Sequence, residues 1–265
     1  MAEDARRMPS REAEYRNLVL NQRVEALAQF VSPSVWARCN MPVGDLTKCQ
    51  EVYGGLDLSE TNDLTAMVLI GKIDRVWHVK PYFWLPEENL ADRARTDHVP
   101  YDQWVNEGLI ETVEGNAIGY DKVAPRILQI LSQHKIRKMA FDRWNFKHFR
   151  PWLVSGGISE RVIEDQWVEF GQGTASMSPA LRELEGRILD REIAHGGNAV
   201  MNMCAANAVV VEGKDGVRDV GKDSSNRRLS KKRSTGRIDG LVALAMALGV
   251  APLAKPKIDI TALIG

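Results

Sequence analysis

The sequence has few cysteines and no long apolar run, and each shortage excludes a class of protein. Only three cysteines occur among 265 residues, and no two of them form a Cys-x-x-Cys pair. An odd number of scattered thiols supports neither a disulfide framework nor a zinc site, so we expect reduced cysteines. The longest uncharged apolar stretch, 241–254, is too short to span a bilayer. No apolar signal segment opens the chain, which favours a protein that stays in a cytoplasm.

Histidine pairs and a nucleotide-binding loop are also missing. The five histidines are dispersed, and none has the spacing of a metal-binding pair on one helix. The segment 216–222 resembles a phosphate-binding loop, but Asp223 stands where such a loop needs serine or threonine. We therefore expect neither zinc binding nor ATPase activity from this chain.

The chain carries no net charge overall, but basic side chains are concentrated in one segment. The 35 basic and 35 acidic side chains balance, so the chain as a whole does not attract nucleic acid. Residues 227–237, however, contain six cations and no acid: Arg227, Arg228, Lys231, Lys232, Arg233 and Arg237. Such a run can be a solvated loop or can hold phosphates. We predict DNA contacts here, because the run leads directly into an acidic residue at the head of an apolar helix.

Three aspartates stand in segments that should be buried. Asp57 follows the apolar run 52–56, Asp142 follows the predicted buried strand 136–141, and Asp239 begins an apolar helix. Burying an unpaired carboxylate is costly, so each must face a backbone donor or a cation. Capping of a strand end or a helix would explain each of them separately. If the first two strands are neighbours, the three acids can converge, and three oxygen ligands suit Mg²⁺ or Mn²⁺.

Hydrophobic periodicity predicts an α/β chain in which strands and helices alternate after an initial meander. The predicted strands are a segment through Asp57, then 64–70, 76–84, 136–141, 161–166 and a hairpin of 207–211 with 216–220. The predicted helices are a segment opening at 86–90, then 101–106, 121–134 with Asp121 as its N-cap, 146–154, 178–190 and a segment after Asn198.

The three aspartates belong to three recognisable motifs: Gly54–Ser59 with Asp63–Ala66, Ala140–Arg143, and Ser234–Gly249. Together these motifs resemble the nuclease domain of a tailed-bacteriophage terminase large subunit, over roughly residues 50–250. The resemblance implies a ribonuclease H-like mixed sheet flanked by helices, to which the sequence pattern adds a β-hairpin before the last core helix. It also implies an endonuclease that cuts concatemeric viral DNA during genome packaging, in the cytoplasm of the infected bacterial host.

The same resemblance implies roles for particular residues. Asp57, Asp142 and Asp239 would hold two Mg²⁺ or Mn²⁺ ions and catalyse phosphodiester hydrolysis. Asp63 is a candidate auxiliary acid or a turn residue, and Gly240 stands where some relatives carry a further acid. The expected partners are double-stranded DNA, the portal protein, the small terminase subunit and the packaging ATPase domain, and no membrane is involved.

The predicted domain organisation follows from these motifs. Residues 1–48 are expected to be a helical arm or a linker from an ATPase domain that this chain lacks. Residues 49–252 form the nuclease domain, and 253–265 form a C-terminal tail. Two alternatives remain open: a transposase-like or junction-resolving nuclease of the same fold, and a non-catalytic module that docks on DNA or the portal.

Overall fold

The computed structural model describes residues 29–59, 64–212 and 226–252. Several predicted features lie outside these residues: most of the N-terminal arm, Asp63, the loop-like segment 216–222 and the C-terminal tail. The division of the chain into arm, nuclease domain and tail therefore stays a prediction.

A mixed β-sheet forms the centre of the described residues. Its strands are β1 (Val52–Asp57), β2 (Thr65–Ile73), β3 (Val76–Pro86), β4 (Glu111–Val113), β5 (Ile136–Phe141), β6 (Trp167–Glu169) and β7 (Ile193–Ala194). The strand order is β4-β3-β2-β1-β5-β6, and β7 also pairs with β3. Strands β1, β2 and β3 form an antiparallel meander, whereas β5 joins β1 in parallel and β6 joins β5 in parallel. The predicted meander and the predicted parallel strand 136–141 are confirmed.

Helices cover both faces of this sheet. They are α1 (Pro33–Ala37), α2 (Leu90–Asp97), α3 (Tyr101–Asn106), α4 (Tyr120–Ser132), α5 (Arg143–Ser155), α6 (Glu160–Gln166), α7 (Thr174–Leu189), α8 (Ala199–Asn207) and α9 (Asp239–Val250). Side chains alternate along β2, so that Val68 belongs to the core that includes residues of α7, α8 and α9, whereas Met67 and Leu69 belong to the core that includes residues of α4 and α5. Two hydrophobic cores therefore sandwich the sheet, and the predicted mixed sheet flanked by helices is confirmed.

A β-hairpin precedes α9, as predicted, but its second strand differs from the predicted one. Strand β8 (Val210–Glu212) pairs antiparallel with β9 (Arg227–Leu229). The segment 216–220, which the sequence pattern favours as the partner, lies outside the described residues. The observed pairing places the start of the basic run within the hairpin rather than after it.

Two local predictions are wrong. Residues 161–166 are helical rather than extended, because the Ser159 hydroxyl accepts a hydrogen bond from the backbone N–H of Val162 at 3.3 Å and so caps α6. The strand follows the helix instead, at β6. Asp121 lies within the first turn of α4, whose N-cap position is Gly119.

The described part of the predicted arm is packed against the domain. Phe30, Val31, Trp36 and Cys39 are all buried and belong to the core beneath α7 and α8. The indole N–H of Trp36 donates to Oδ1 of Asn202 at 2.8 Å. The packed unit therefore includes residues upstream of position 49, where the sequence pattern places its start.

In the part of the chain that the structure describes, no helix combines the length and the apolar character needed to cross a membrane.

Candidate metal centre

Helix α9 lies directly against β1, and a glycine makes this close approach possible. A Cβ atom added at Gly55 would lie 2.0 Å from the carbonyl oxygen of Ala243 in α9. Because real Cβ atoms do not approach backbone oxygens so closely, only glycine lets the helix backbone rest on the strand. This contact places Asp57, the last residue of β1, beside Asp239, the first residue of α9.

Helix α9 is buried on all sides, which explains its uninterrupted apolar sequence. All residues from Asp239 to Leu248 are buried. Asp239 is 2% exposed and Asp57 is 3% exposed, although each carries a carboxylate. A carboxylate in the first turn is favoured by the helix dipole, but that effect is small beside the cost of burial. The two acids therefore need a cation.

Within the described residues, Lys231 supplies that cation. Its Nζ lies 2.7 Å from Oδ1 of Asp239 and 2.9 Å from Oδ2 of Asp57. Burial of the ammonium favours its neutral form, but the carboxylates of Asp57 and Asp239 outweigh it and raise the pKa of Lys231 above its ordinary value. The amide of Gln172 donates to Oδ1 of Asp57 at 3.1 Å. One ammonium thus holds two buried acids together.

The oxygen atoms of this pair fit a divalent ion. Oδ2 of Asp57 is buried, and among the described residues its charge is balanced by the Lys231 ammonium at 2.9 Å. Hard carboxylate oxygens are the ligands that Mg²⁺ and Mn²⁺ prefer. Asp57 and Asp239 are therefore suited to bind such an ion in the place of the ammonium.

Asp142 lies at the same edge of the sheet but is turned towards its own helix. Leu56 of β1 pairs with Phe141 of β5. Asp57 and Asp142 are the next residues along the chain, so they follow side by side at the ends of adjacent strands. Such neighbours are about 5 Å apart. The carboxylate of Asp142 caps α5, accepting from the backbone N–H of Trp144 at 3.3 Å.

The predicted convergence of three acids is therefore observed in part. The structure brings Asp57 and Asp239 together, whereas no group of three metal-binding acids, histidines or cysteines is assembled among the described residues. The physical reason is that Lys231 balances the first two acids and the helix N-terminus satisfies Asp142. A metal role for Asp142 stays a prediction, and Asp63 lies outside the described residues.

Position 240 leaves no room for a fourth acid. A Cβ atom at Gly240 would lie 2.8 Å from Sδ of Met201 and 2.9 Å from Cε1 of Phe83, both of which are buried. A longer side chain would thus enter the apolar core rather than the acidic centre.

The predicted DNA-contacting cations lie in different environments, some buried and some exposed. Arg227 is buried and bonds through both terminal nitrogens to the carboxylate of Glu185 in α7, so its guanidinium fastens the hairpin to the core and does not reach solvent. Arg237 is mostly buried and donates from Nε to Asp97 at 3.0 Å. The assignment of these two arginines to DNA binding is not supported by the structure. The side chains of Arg228, Lys232 and Arg233 are exposed, and that of Lys231 is 43% exposed although its ammonium contacts the two buried acids.

The sequence pattern does not identify the residues that contact the two buried acids. It places Lys231 on a DNA-binding surface, and it does not single out Gln172, which lies far from every motif. A buried acid at the head of an apolar helix requires a nearby cation, and the basic run is the source closest in sequence. That signal was available for Lys231, but no signal identifies Gln172.

Comparisons with known proteins identify the family that the chain matches. The family model described as "Terminase large subunit, endonuclease domain" matches residues 2–254. The chain is 45% identical over 252 residues to the terminase large subunit of Enterobacteria phage HK97, covering 94% of this chain and 47% of that protein. Protein YmfN of Escherichia coli K12 is 26% identical over 211 residues, covering 74% of this chain and 42% of that protein.

A solved structure agrees with these sequence matches. The crystal structure of the HK97 large terminase superimposes with a TM-score of 0.75 at 44% identity, over 94% of this chain and 49% of that one. The chain thus spans about half the length of the relatives that it matches.

Proposed function

The chain belongs to the family of terminase large-subunit endonuclease domains and has their ribonuclease H-like fold, and on this premise we propose that it is a Mg²⁺- or Mn²⁺-dependent DNA endonuclease. The proposed reaction is hydrolysis of phosphodiester bonds in concatemeric viral DNA during genome packaging. The observation that carries the proposal is the pair of buried aspartates, Asp57 and Asp239, that share a single ammonium.

The acidic residues of the metal centre would have different roles in the proposed reaction. Asp57 and Asp239 would hold the ions, and Asp142 would join them by giving up its cap on α5. Divalent ions, two in our proposal, would supply a water of lowered pKa and would neutralise charge on the phosphate. The aspartates fix where that charge is neutralised, because β1 and α9 are locked together at Gly55.

Exposed cations beside the centre would hold the DNA backbone. Lys232 and Arg233 follow Lys231 in the turn after β9, and Arg228 is exposed within β9. Contacts of cations with phosphates carry little information about base identity. We therefore propose that this domain alone cuts with little sequence preference.

The wider setting is part of the same proposal. The portal protein, the small terminase subunit and a packaging ATPase domain are the proposed partners, and the cytoplasm of the infected bacterium is the proposed location. Because the chain spans about half of its relatives, ATP-driven translocation is not assigned to these residues.

Supercoiled plasmid provides the direct test of activity. With Mn²⁺ we expect the chain to nick and linearise the plasmid, and with EDTA in excess we expect the plasmid to stay intact. An intact plasmid in Mn²⁺, from folded protein, would contradict the proposal and favour a non-catalytic docking module. Strong preference for branched over linear duplex would instead favour junction-resolving chemistry.

Charge reversal at Lys232 and Arg233 should weaken DNA binding without disturbing the metal centre. For the double variant Lys232→Glu/Arg233→Glu, we expect affinity for a short duplex to fall roughly tenfold or more, and the slope of log affinity against log salt to fall by about two. Fluorescence anisotropy in EDTA at several salt concentrations measures both quantities.

The matched control reverses two exposed cations at the opposite end of the sheet. Arg75 lies in the turn between β2 and β3, and Lys135 directly precedes β5. The variant Arg75→Glu/Lys135→Glu has the same net charge as the test variant, so it should retain nearly wild-type affinity and slope. Equal losses in the two variants would mean that net charge, not this surface, attracts the DNA.

A further inference from the structure

The ammonium of Lys231 occupies the position that a divalent ion needs. It contacts Oδ2 of Asp57 and Oδ1 of Asp239, and these are oxygen atoms through which the two acids would bind a metal. An ammonium and a divalent ion cannot both lie within contact distance of the same oxygens, because their like charges repel at close range. Binding of the ion at this position therefore requires Lys231 to leave.

Lys231 has a route out of the centre. Its side chain is 43% exposed, whereas each of the aspartate side chains that it contacts is 3% exposed, so the lysine side chain enters the acidic pocket through a mouth that faces solvent. The backbone is held in a tight turn, in which the N–H of Ser234 donates to the carbonyl of Ser230 at 3.0 Å. Rotation of the lysine side chain alone can carry its charge to solvent.

The same turn provides a reason for the lysine to move. Lys232 and Arg233 are exposed immediately beside Lys231, so a DNA backbone held by these cations would bring phosphates to the mouth of the pocket. A phosphate offers the ammonium a charged hydrogen-bond acceptor equivalent to the carboxylates that it gives up. A divalent ion would then neutralise the two acids in place of the lysine.

We propose that Lys231 is an internal counter-cation that competes with the divalent ion for Asp57 and Asp239 and leaves them for a DNA phosphate, so that metal loading is coupled to DNA binding. This inference rests on the proposed function. It assigns the lysine two positions: it balances the buried acids in the free protein, and it binds the DNA backbone when the metal ions are present.

Mn²⁺ binding by the DNA-free chain tests the competition. We expect Lys231→Met to bind Mn²⁺ about tenfold more tightly than wild type, since the ion no longer displaces charge-assisted hydrogen bonds. Isothermal titration calorimetry measures the affinity, and Lys232→Met is the control, because it removes the adjacent cation without touching the acids. Unchanged or weaker Mn²⁺ binding by Lys231→Met, with the protein folded, would overturn the proposal.

A second titration tests the coupling to DNA. It uses a 20-base-pair phosphorothioate duplex, chosen because it resists cleavage while keeping its backbone charge. We expect the duplex to tighten Mn²⁺ binding in wild type and in the control Arg75→Met, which removes an exposed cation at the opposite end of the sheet, but clearly less in Lys231→Met, in which no ammonium has to be displaced. Equal tightening in all three proteins would overturn the coupling.

Thermal unfolding distinguishes an effect of the substitution on folding from an effect on metal binding. In EDTA we expect Lys231→Met to unfold at a lower temperature than wild type, because its two buried acids have lost their cation, and Mn²⁺ should raise its melting temperature more than that of wild type. If neither protein binds Mn²⁺ at all, the proposed function itself fails. If both bind it equally, only the role of Lys231 fails.

Discussion

Asp239→Asn should reduce Mn²⁺-dependent DNA cleavage by about 10³-fold or more while leaving the fold intact. The amide has the shape of the carboxylate, and its oxygen can still accept the hydrogen bond that Lys231 donates to Oδ1 at 2.7 Å. It lacks the negative charge that a divalent ion needs. Stability should change little, because one ammonium then balances one remaining carboxylate, Asp57, instead of two.

The matched control makes the same substitution in the first turn of another helix. Asp121 is exposed near the start of α4, on the other face of the sheet from α9. Asp121→Asn should cleave plasmid at the wild-type rate and melt within a few degrees of wild type. Cleavage by Asp239→Asn at more than a tenth of the wild-type rate would show that this carboxylate is not required for catalysis.

Gly55→Ala should destabilise the protein by about 3 kcal/mol or more, a large effect for one methyl group. The new Cβ would lie 2.0 Å from the carbonyl oxygen of Ala243 and 2.9 Å from the backbone nitrogen of Ala247. Because both atoms belong to the backbone of α9, the helix must shift away from β1. That shift would also separate Asp57 from Asp239, so any folded variant should cleave poorly.

Gly186→Ala provides the contrast. Gly186 lies within α7 and is exposed, and apart from its chain neighbours and the adjacent backbone of α7 no described atom lies within 4 Å of the added Cβ. Alanine is the better helix former, so this variant should gain about 0.5–1 kcal/mol in free energy of unfolding. Urea unfolding followed by circular dichroism measures both variants. A loss of less than about 1 kcal/mol in Gly55→Ala would contradict the close packing of α9 on β1.

The parts of the fold set by local patterns could be predicted from the sequence. Strand β1 and its neighbours have the apolar runs and turn residues typical of a meander, and the apolar run of α9 can only be buried. The acid at the head of α9 was informative, because a buried carboxylate needs a counter-charge wherever the chain places it. These features identified Asp57 and Asp239 correctly as neighbours.

The remaining features depend on contacts between distant segments. Arg227 pairs with Glu185 across 42 residues, and no local property distinguishes this arginine from the exposed Arg228 beside it. The cationic sequence neighbours of Lys231 predict a surface position for it, although the acids that bind it lie on β1 and α9. Residues 161–166 have similar propensities for strand and helix, and the cap at Ser159 decides between them.

The arrangement also explains how a pair of acids can be buried in the core. Breaking a buried ion pair by removing one partner leaves a charge without compensation and costs far more than the pair contributes. The buried Arg227 and Glu185 tie the hairpin to α7, and the hairpin leads directly into the turn that carries Lys231. The core therefore fixes the position from which the lysine reaches the acids.

Anomalous diffraction from crystals soaked in Mn²⁺ tests the central claim most directly. We predict a peak between Asp57 and Asp239, within about 2–2.5 Å of a carboxylate oxygen of each, with the Lys231 ammonium displaced towards solvent. We also predict that the carboxylate of Asp142 turns from the N-terminus of α5 towards the ion. Mn²⁺ bound elsewhere, with Lys231 still between the two aspartates, would contradict the account.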